Sequence, residues 1–415
     1  MPPSGAWLRA RLEDRRVEIG LIGLCLLALT IFAVHGRYGD GDIRIYHRYA
    51  VEFWAGRHAF HQLPAEYPPL ALVVFTLSVL PPLHDYATVF AIWMSAVFVA
   101  GYLAFIRFST HRQAVIFFFL LIVGATSTLL ARYDLIPALL TVAAVWATSR
   151  GRYNLAYLLL AAGILLKLYP VFLVPLVMIE QRRALLAEGR SWLRPVTAGA
   201  SIAGGMVILG FGVAVALGGW SGLSPFFYAG ARPLQVESLG ASLLWLSSFV
   251  GFSAEVEHSF FSYNLIGPLA PGIASISSTA GAAGILWIYW RLWQGRMTLA
   301  RAFLGVICLV LLSSKVFSPQ YLIWALPFVA LVEGVDTVWL LVCACTTLIY
   351  PVLYVSENIF GSAGPFPYSG TFLGMIAIRN AVLIIATVRV LSPRRAGARA
   401  EMAGREKTSL SSFGD

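Results

Sequence analysis

Runs of about 20 apolar residues, separated by short clusters of arginine, proline and glycine, repeat along nearly the whole chain. About 20 residues of helix cross the hydrocarbon core of a bilayer, whereas the strands of a membrane barrel have about 10 residues of alternating polarity. The runs do not alternate, so they predict an all-α integral membrane protein. The predicted spans are 17–35, 69–83, 86–106, 113–131, 133–149, 154–179, 195–217, 239–252, 265–290, 300–313, 319–333, 336–355 and 370–391.

The composition agrees with this prediction. Of the 415 residues, 59% are hydrophobic and 12% are charged, against about 25% charged in soluble domains. The net charge of +10 comes from arginines clustered between the apolar runs. This distribution is typical of the positive-inside signal of membrane proteins rather than of a nucleic-acid-binding face, so we expect no nucleic-acid partner. All four cysteines lie in apolar runs without metal-ligand spacing, which indicates packing.

The two ends of the chain indicate an orientation. The first apolar run follows four arginines and has no good cleavage site, which favours a retained anchor with a cytoplasmic N-terminus in the plasma membrane over a signal peptide. Residues 1–391 are predicted to form one polytopic membrane domain. The tail 392–415 is rich in arginine and small polar residues, and it is predicted to be disordered and cytoplasmic.

The loop 36–68 is the first long polar segment and would face outward. Within it, Ile43, Tyr46, Ala50 and Phe53 recur at helical spacing, and charged residues occupy the other side. We therefore predict that residues 43–55 form an amphipathic helix that lies in the outer membrane interface with its aromatic face towards the lipid.

The run 154–179 has arginine clusters on both flanks and Pro170 within it. Proline disfavours helix at the residue before it, and irregular backbone inside a membrane is tolerated where it lines a cavity. A helix broken at residues 167–170 is one interpretation. A plain span with the first arginine cluster outside is the other.

Asp40 and Asp42 in the outer loop are the candidate catalytic residues. A carboxylate at the outer face can act as general base towards a sugar hydroxyl if it lies within reach of the proton. Asp42 could instead cap the amphipathic helix. The Asp-x-Asp spacing could also hold a divalent cation, although two carboxylates are an incomplete oxygen shell.

Two of the three lysines, Lys167 and Lys315, lie in or beside apolar runs and next to prolines. An ionised group at such a depth is expensive and is by default a functional candidate. Both lysines lie near hydroxyl side chains, which predicts a binding site for a lipid phosphate with Tyr169, Ser318 and Tyr321 as partners. The alternative is that the ammonium groups snorkel to lipid headgroups.

Further polar residues near the span ends could contact a substrate. Glu66 and Tyr67 precede two prolines that begin the second span, so they could simply form a rigid joint. Asp134 could pair with Arg132, two residues earlier, or lie at a cavity edge. His258 lies in a later outer loop together with two glutamates.

Motifs for nucleotide binding are absent from the sequence: it has neither a Gly-x-x-x-x-Gly-Lys loop nor a strand followed by Gly-x-Gly-x-x-Gly. A donor substrate would therefore be presented by the membrane itself, and we expect no cofactor.

Several of these segments resemble a known family when taken in order: Gly41 to Tyr46, Tyr67-Pro68-Pro69, Gly163 to Pro170, and Lys315 to Tyr321 followed by Trp324 and Pro327. They resemble the GT-C membrane glycosyltransferases, specifically glycosyltransferase family 87, of the polyprenyl-phosphate-mannose-dependent α-mannosyltransferase type. The likeness extends over about residues 17–390.

This resemblance implies a GT-C-like bundle of about 10–13 transmembrane or half-membrane helices. It also implies metal-independent, inverting transfer of a hexose from a polyprenyl-phosphate donor to a lipid- or glycan-linked acceptor. Asp42 matches the family's base, while Asp40 leaves open which carboxylate acts. The phosphate-binding candidates are Lys167, Tyr169, Lys315, Ser318, Gln320, Tyr321 and Arg44. The candidates for acceptor or sugar contacts are Tyr46, Glu66, Tyr67, Asp134 and His258.

A transporter or lipid flippase is the competing class, because it would also place charged residues and broken helices in the membrane. The sequence has no convincing inverted repeat, and its acids concentrate in the first outer loop. These features favour a transferase. A pentose transferase that uses the same lipid carrier is a further alternative, as is a scaffold whose Asp40 and Asp42 face away from any cavity.

Overall fold

The computed structural model describes residues 16–35, 40–55, 66–79, 85–354 and 370–392. The predicted cytoplasmic tail lies outside the described residues, as does the middle of the first outer loop. The helices are α1 Arg16–His35, α2 Asp40–Trp54, α3 Pro69–Leu77, α4 Tyr86–Phe108, α5 His111–Ala125, α6 Leu135–Ser149, α7 Tyr153–Leu166, α8 Val174–Ala187, α9 Leu193–Gly218, α10 Ser224–Ala231, α11 Leu239–Ser247, α12 Ala270–Trp293, α13 Leu299–Ser313, α14 Leu326–Val332, α15 Thr337–Thr347 and α16 Gly370–Leu391.

Within the described ranges, four helical stretches are long and apolar enough to cross a membrane: Tyr86–Phe108, Leu193–Ala231, Ala270–Trp293 and Gly370–Leu391. Their apolar side chains are exposed at many positions, such as Ile208 (74% exposed) on α9. So much apolar surface would be unfavourable in water, whereas it is favourable in contact with the hydrocarbon core of a membrane. The fold is therefore that of an all-α membrane protein, as predicted.

Several predicted spans are shorter or more irregular than the apolar runs suggested. The run at 69–83 yields only the nine residues of α3. The run at 319–333 is divided between a 3₁₀ segment, Pro319–Trp324, and the short helix α14. Prolines at 319 and 327 explain this division, because a proline lacks the N–H that a helix interior requires.

Helix α2 confirms the predicted helix in the first outer loop and corrects its surroundings. Its apolar face is buried, with Tyr46 1% exposed and Ala50 fully enclosed, while Arg44 and His47 are exposed. This face packs on the protein rather than on lipid: the Tyr46 ring stacks on Phe75 of α3 at 4.2 Å between centroids. Tertiary packing thus replaces the expected membrane contact.

The run 154–179 is broken at the predicted residues. Helix α7 ends at Leu166, Lys167 is extended (φ −152°, ψ 137°), and a 3₁₀ segment, Tyr169–Leu173, leads into α8. The break is compact because a Cβ at Gly163 would lie 3.2 Å from Pro170 Cγ. Since the backbone leaves the helix at Lys167, this side chain points away from the α7 ladder and is available to a cavity.

A small antiparallel sheet lies between α10 and α12 and was not predicted. Its strands are β1 Leu234–Gln235, β2 Glu255–Ser259 and β3 Ser262–Ile266, with β3 in the centre. The register pairs Leu234 with Leu265 and Ser259 with Ser262. The sheet packs over a second apolar core that also includes residues of α11 and α16.

Candidate active site

One cavity of about 860 Å³ lies where α2, the loop before α3, the turn before α6, the break after α7, α10, the hairpin β2–β3 and the segment 313–324 converge. Its volume is within the range of small-molecule sites, which are typically about 300–1,000 Å³. Most of the polar candidates from the sequence line this cavity, together with a large set of aromatic side chains.

Asp42 reaches the cavity from the first turns of α2. Its Oδ2 lies 2.8 Å from Nε of Arg132, which comes from the turn between α5 and α6. The Arg132 side chain is 9% exposed and the Asp42 side chain 29%. Asp42 is the third residue of the described helix rather than the residue before it, so the structure does not support the capping interpretation. Arg132 instead fixes the direction of the carboxylate.

Lys167 forms a second ion pair. We call the part of the lining that carries Asp42, Arg132 and Lys167 the first wall. Its Nζ lies 3.0 Å from Oδ1 of Asp134, a residue that is fully buried. The indole N–H of Trp324 donates to the same oxygen at 2.7 Å. The sequence had suggested that Asp134 pairs with Arg132, and this is wrong, because each of the two residues pairs with a more distant part of the chain.

Aromatic rings surround the Lys167 ammonium. Its Nζ lies 4.7 Å from the ring centroid of Tyr133, 5.2 Å from that of Tyr321, and 5.8 Å from those of Tyr67 and Trp324. Cations within about 6 Å of a ring face are attracted to its π-system. The cage and the buried carboxylate therefore hold Lys167 in place, which excludes the snorkelling alternative for this residue.

A second part of the cavity lining, which we call the cationic wall, carries Arg232 and Lys315. Lys315 donates from Nζ to the carbonyl of Gly230 at 2.8 Å, and Arg232 donates from Nη2 to Ser262 Oγ at 2.7 Å. Among the described residues, Arg232 Nε has no hydrogen-bond partner, and neither cation forms an ion pair with a carboxylate at salt-bridge distance. Within the described part of the chain, these two cations are therefore not held in a direct ion pair and can present positive charge to the cavity.

Gln235 fixes the segment that carries Lys315. Its backbone N–H donates to the Lys315 carbonyl at 2.8 Å, its Nε2 donates to Ser318 Oγ at 2.9 Å, and its Oε1 accepts from the Phe317 N–H at 2.9 Å. Gln235 lies on β1, so the small sheet positions the cationic wall.

Glu66 lies between the two walls. Burial and the nearby Asp42 carboxylate raise its pKa, while Arg232 and Lys167 act to lower it, and a hydrogen bond joins its side chain to Tyr228. A carboxyl with a raised pKa keeps its proton to a higher pH than a glutamate exposed to water does.

Glu237 is a third carboxyl on the cavity lining and is 1% exposed. Burial raises its pKa to about 7. Tyr354 donates to its Oε1 at 2.8 Å, and Arg379 of α16 donates to its backbone carbonyl at 2.5 Å. Its Oε2 has no hydrogen-bond partner among the described residues.

The cavity brings together most of the residues selected from the sequence: Asp42, Tyr46, Glu66, Tyr67, Lys167, Tyr169, His258, Lys315, Ser318, Gln320 and Tyr321. Arg44 is exposed on α2 and is not among the lining residues. Asp134 is enclosed beneath Lys167, so it positions that lysine rather than meeting an acceptor. The side chain of Asp40 lies outside the described residues.

Sequence reasoning missed the roles of Arg132, Tyr133 and Tyr228. Arg132 and Tyr133 were visible only as neighbours of Asp134 at a span end, and nothing local distinguishes them from other interfacial residues. Arg232 and Glu237 are polar residues in the loop 218–240, and nothing in the sequence of that loop indicates that they share a cavity with Asp42.

The fold and the site together define an integral membrane protein. Charged and aromatic side chains from several loops and helix ends line its cavity. The sequence also matches the family model of glycosyltransferase family 87 over residues 66–319. This is more than half of the chain, so the protein belongs to glycosyltransferase family 87 and is a membrane glycosyltransferase. No curated protein matches the chain.

The matched region begins at Glu66 and contains Lys167, Arg232 and Lys315. Asp42 and its helix precede it. Family membership therefore covers the cationic groups of the cavity, while the assignment of Asp42 depends on its position opposite them.

Proposed function

We propose that the protein transfers a hexose, with mannose as the family default, from a polyprenyl-phosphate donor to a lipid- or glycan-linked acceptor. Transfer would take place at the outer face of the plasma membrane, with the N-terminus in the cytoplasm, and would invert the anomeric centre. The observation that carries this proposal is that Asp42, Arg232 and Lys315 line the same cavity.

In this scheme the two walls have separate tasks. A lipid phosphate is already a good leaving group, and it needs charge stabilisation more than protonation. Arg232 and Lys315 can supply this charge because neither forms a direct ion pair with a carboxylate of the described residues. On the other wall, Asp42 accepts the proton of the attacking hydroxyl. Arg132 engages Oδ2, which leaves Oδ1 for that hydroxyl.

The lining supports a sugar as the transferred group. Tyr46, Tyr67 and Tyr321 supply aromatic surface, and Glu66 and His258 supply polar contacts along the same cavity. Binding sites of this kind combine a mostly apolar lining with a few convergent polar groups that orient the substrate.

The test is to incubate the purified protein with radiolabelled polyprenyl-phosphate mannose and membrane extract, and to identify any labelled lipid. We expect a labelled product whose anomeric configuration, read by NMR, is opposite to that of the donor. A parallel incubation with a polyprenyl-phosphate pentose tests the pentose alternative. Label transfer from the pentose alone would contradict the hexose assignment, and a product with retained configuration would contradict the single-base mechanism.

A further inference from the structure

The turn of the hairpin β2–β3 has an unusual sequence for its geometry. Ser259 pairs with Ser262, so the loop consists only of Phe260 and Phe261, and both have φ of 54°. Two positive φ values in a two-residue loop indicate a type I′ turn, for which Asn-Gly is strongly preferred. A bulky residue with positive φ is a genuine outlier, and such outliers cluster at functional sites.

Contacts with the cationic wall hold this turn in place. The Tyr228 hydroxyl donates to the Phe260 carbonyl at 3.0 Å, and the two rings lie 5.2 Å apart in an edge-to-face arrangement. Arg232 reaches Ser262 directly after the turn. The strained residues therefore lie beside the group that we propose to bind the donor phosphate.

Phe260 and Phe261 both line the cavity, and Phe261 is 71% exposed. The lining continues through the apolar side chains of Phe172 (43% exposed) and Phe226 (48% exposed). Phe226 belongs to the candidate membrane span Leu193–Ala231. The cavity thus joins a polar, cationic region to an apolar region that continues onto the membrane-facing surface.

We propose that the turn Phe260–Phe261, which we call the phenylalanine turn, binds the first isoprene units of the donor's prenyl chain. The inference rests on the proposed polyprenyl-phosphate donor. In such a lipid the chain begins at the phosphate, so a phosphate held by Arg232 and Lys315 places the chain next to this turn. Chain and phosphate together match the apolar and cationic parts of the cavity.

Replacing Phe260–Phe261 by Asn-Gly, the sequence that a type I′ turn prefers, distinguishes a role in binding the prenyl chain from a role in folding. The double variant Phe260→Asn/Phe261→Gly relieves the backbone strain, so we expect an unfolding temperature equal to or above that of the wild type. Its affinity for undecaprenyl phosphate, a probe without sugar, should fall by roughly tenfold, because the variant removes the apolar surface of two rings. Affinity for butyl phosphate, which lacks the long chain, should not change.

Phe249 provides the matched control. It is an aromatic residue that is also 71% exposed, it packs on Trp245, and it is not among the cavity-lining residues. Phe261→Ala should weaken binding of undecaprenyl phosphate, whereas Phe249→Ala should leave it unchanged. Equal losses in both variants would show a general membrane contact and overturn the proposal.

The binding assay needs no transfer, so its outcome is separate from that of the proposed function. If the wild type binds undecaprenyl phosphate in a Phe261-dependent manner but transfers no hexose, the sugar assignment fails and the phenylalanine turn keeps its role. If the wild type does not bind undecaprenyl phosphate, or if the variants change only the KM for the acceptor, the inference is wrong.

Discussion

Charged residues line two parts of the cavity, and the two parts differ in whether these charges form ion pairs. On one wall, Asp42 pairs with Arg132 and Asp134 pairs with Lys167, both at 3.0 Å or less. On the cationic wall, the hydrogen bonds that Arg232 and Lys315 form with described residues go to neutral oxygens. Paired charges hold their groups in position, whereas unpaired cations remain able to bind an anion. Under the proposed function, the wall with paired charges would orient the base and accept the proton, and the cationic wall would bind the phosphate.

Substitution at Asp42 tests the first wall most directly. Asp42→Asn keeps the shape of the side chain, but it cannot take a proton. We expect kcat to fall by about 10² to 10⁴, with donor binding nearly unchanged, as measured by transfer kinetics and by titration with undecaprenyl phosphate.

Two matched carboxyl variants accompany this prediction. Asp40→Asn and Glu66→Gln should each retain substantial activity, since we assign neither residue as the base. An active Asp42→Asn enzyme together with an inactive Asp40→Asn or Glu66→Gln enzyme would move the base to the other carboxylate.

Substitution of Lys167 should mainly change the stability of the fold. Lys167→Gln leaves the buried Asp134 carboxylate uncompensated, and breaking a buried pair typically costs about 3–5 kcal/mol. We expect a large drop in the unfolding temperature of the detergent-solubilised protein. The double variant Lys167→Gln/Asp134→Asn should recover most of it, since Trp324 can still donate to the amide oxygen. No recovery in the double variant would mean that Lys167 stabilises the fold through its aromatic cage alone.

Lys315 should behave in the opposite way. Lys315→Gln removes a cation that pairs with no carboxylate in the described ranges, so the fold should keep its unfolding temperature. The KM for the donor should rise roughly tenfold, as is typical for loss of a charged hydrogen bond. Lys315→Arg should retain most of the affinity. A strongly destabilised Lys315→Gln protein with an unchanged KM would contradict the division between the walls.

The last prediction concerns Glu237, whose effect is confined to the pH dependence of stability. Because its pKa is raised to about 7 in the folded protein, its contribution to stability is fully present below the unfolded value of 4.5 and is lost as the pH rises through about 7. The wild type should therefore lose on the order of 1–3 kcal/mol between pH 5 and pH 8 through this group. Glu237→Gln should flatten the pH dependence of the unfolding temperature, and an equal slope in both proteins would show that Glu237 does not titrate in this window.

Local patterns predicted the features that depend on neighbouring residues. Apolar runs indicated membrane helices, and Pro170 suggested the break after Lys167 as one of two interpretations. The spacing of Ile43, Tyr46 and Ala50 indicated the apolar face of α2, but not that this face packs on protein rather than lipid. The hairpin was missed because β2 and β3 are five residues each and lie in a polar loop. Its alternation of Val256 between Glu255 and Glu257 is a period-two signal that is weak over so short a length.

By itself, the sequence determined the class of protein and the residues worth testing, because hydrophobicity and proline act through the local chain. Only the tertiary structure decided which charges pair. Asp42 meets Arg132, Asp134 meets Lys167, and Trp324 reaches Asp134 across 190 positions of sequence. Such pairings depend on which helix ends lie side by side, and a buried charge takes the partner that packing brings within about 3 Å rather than the one that is nearest along the chain.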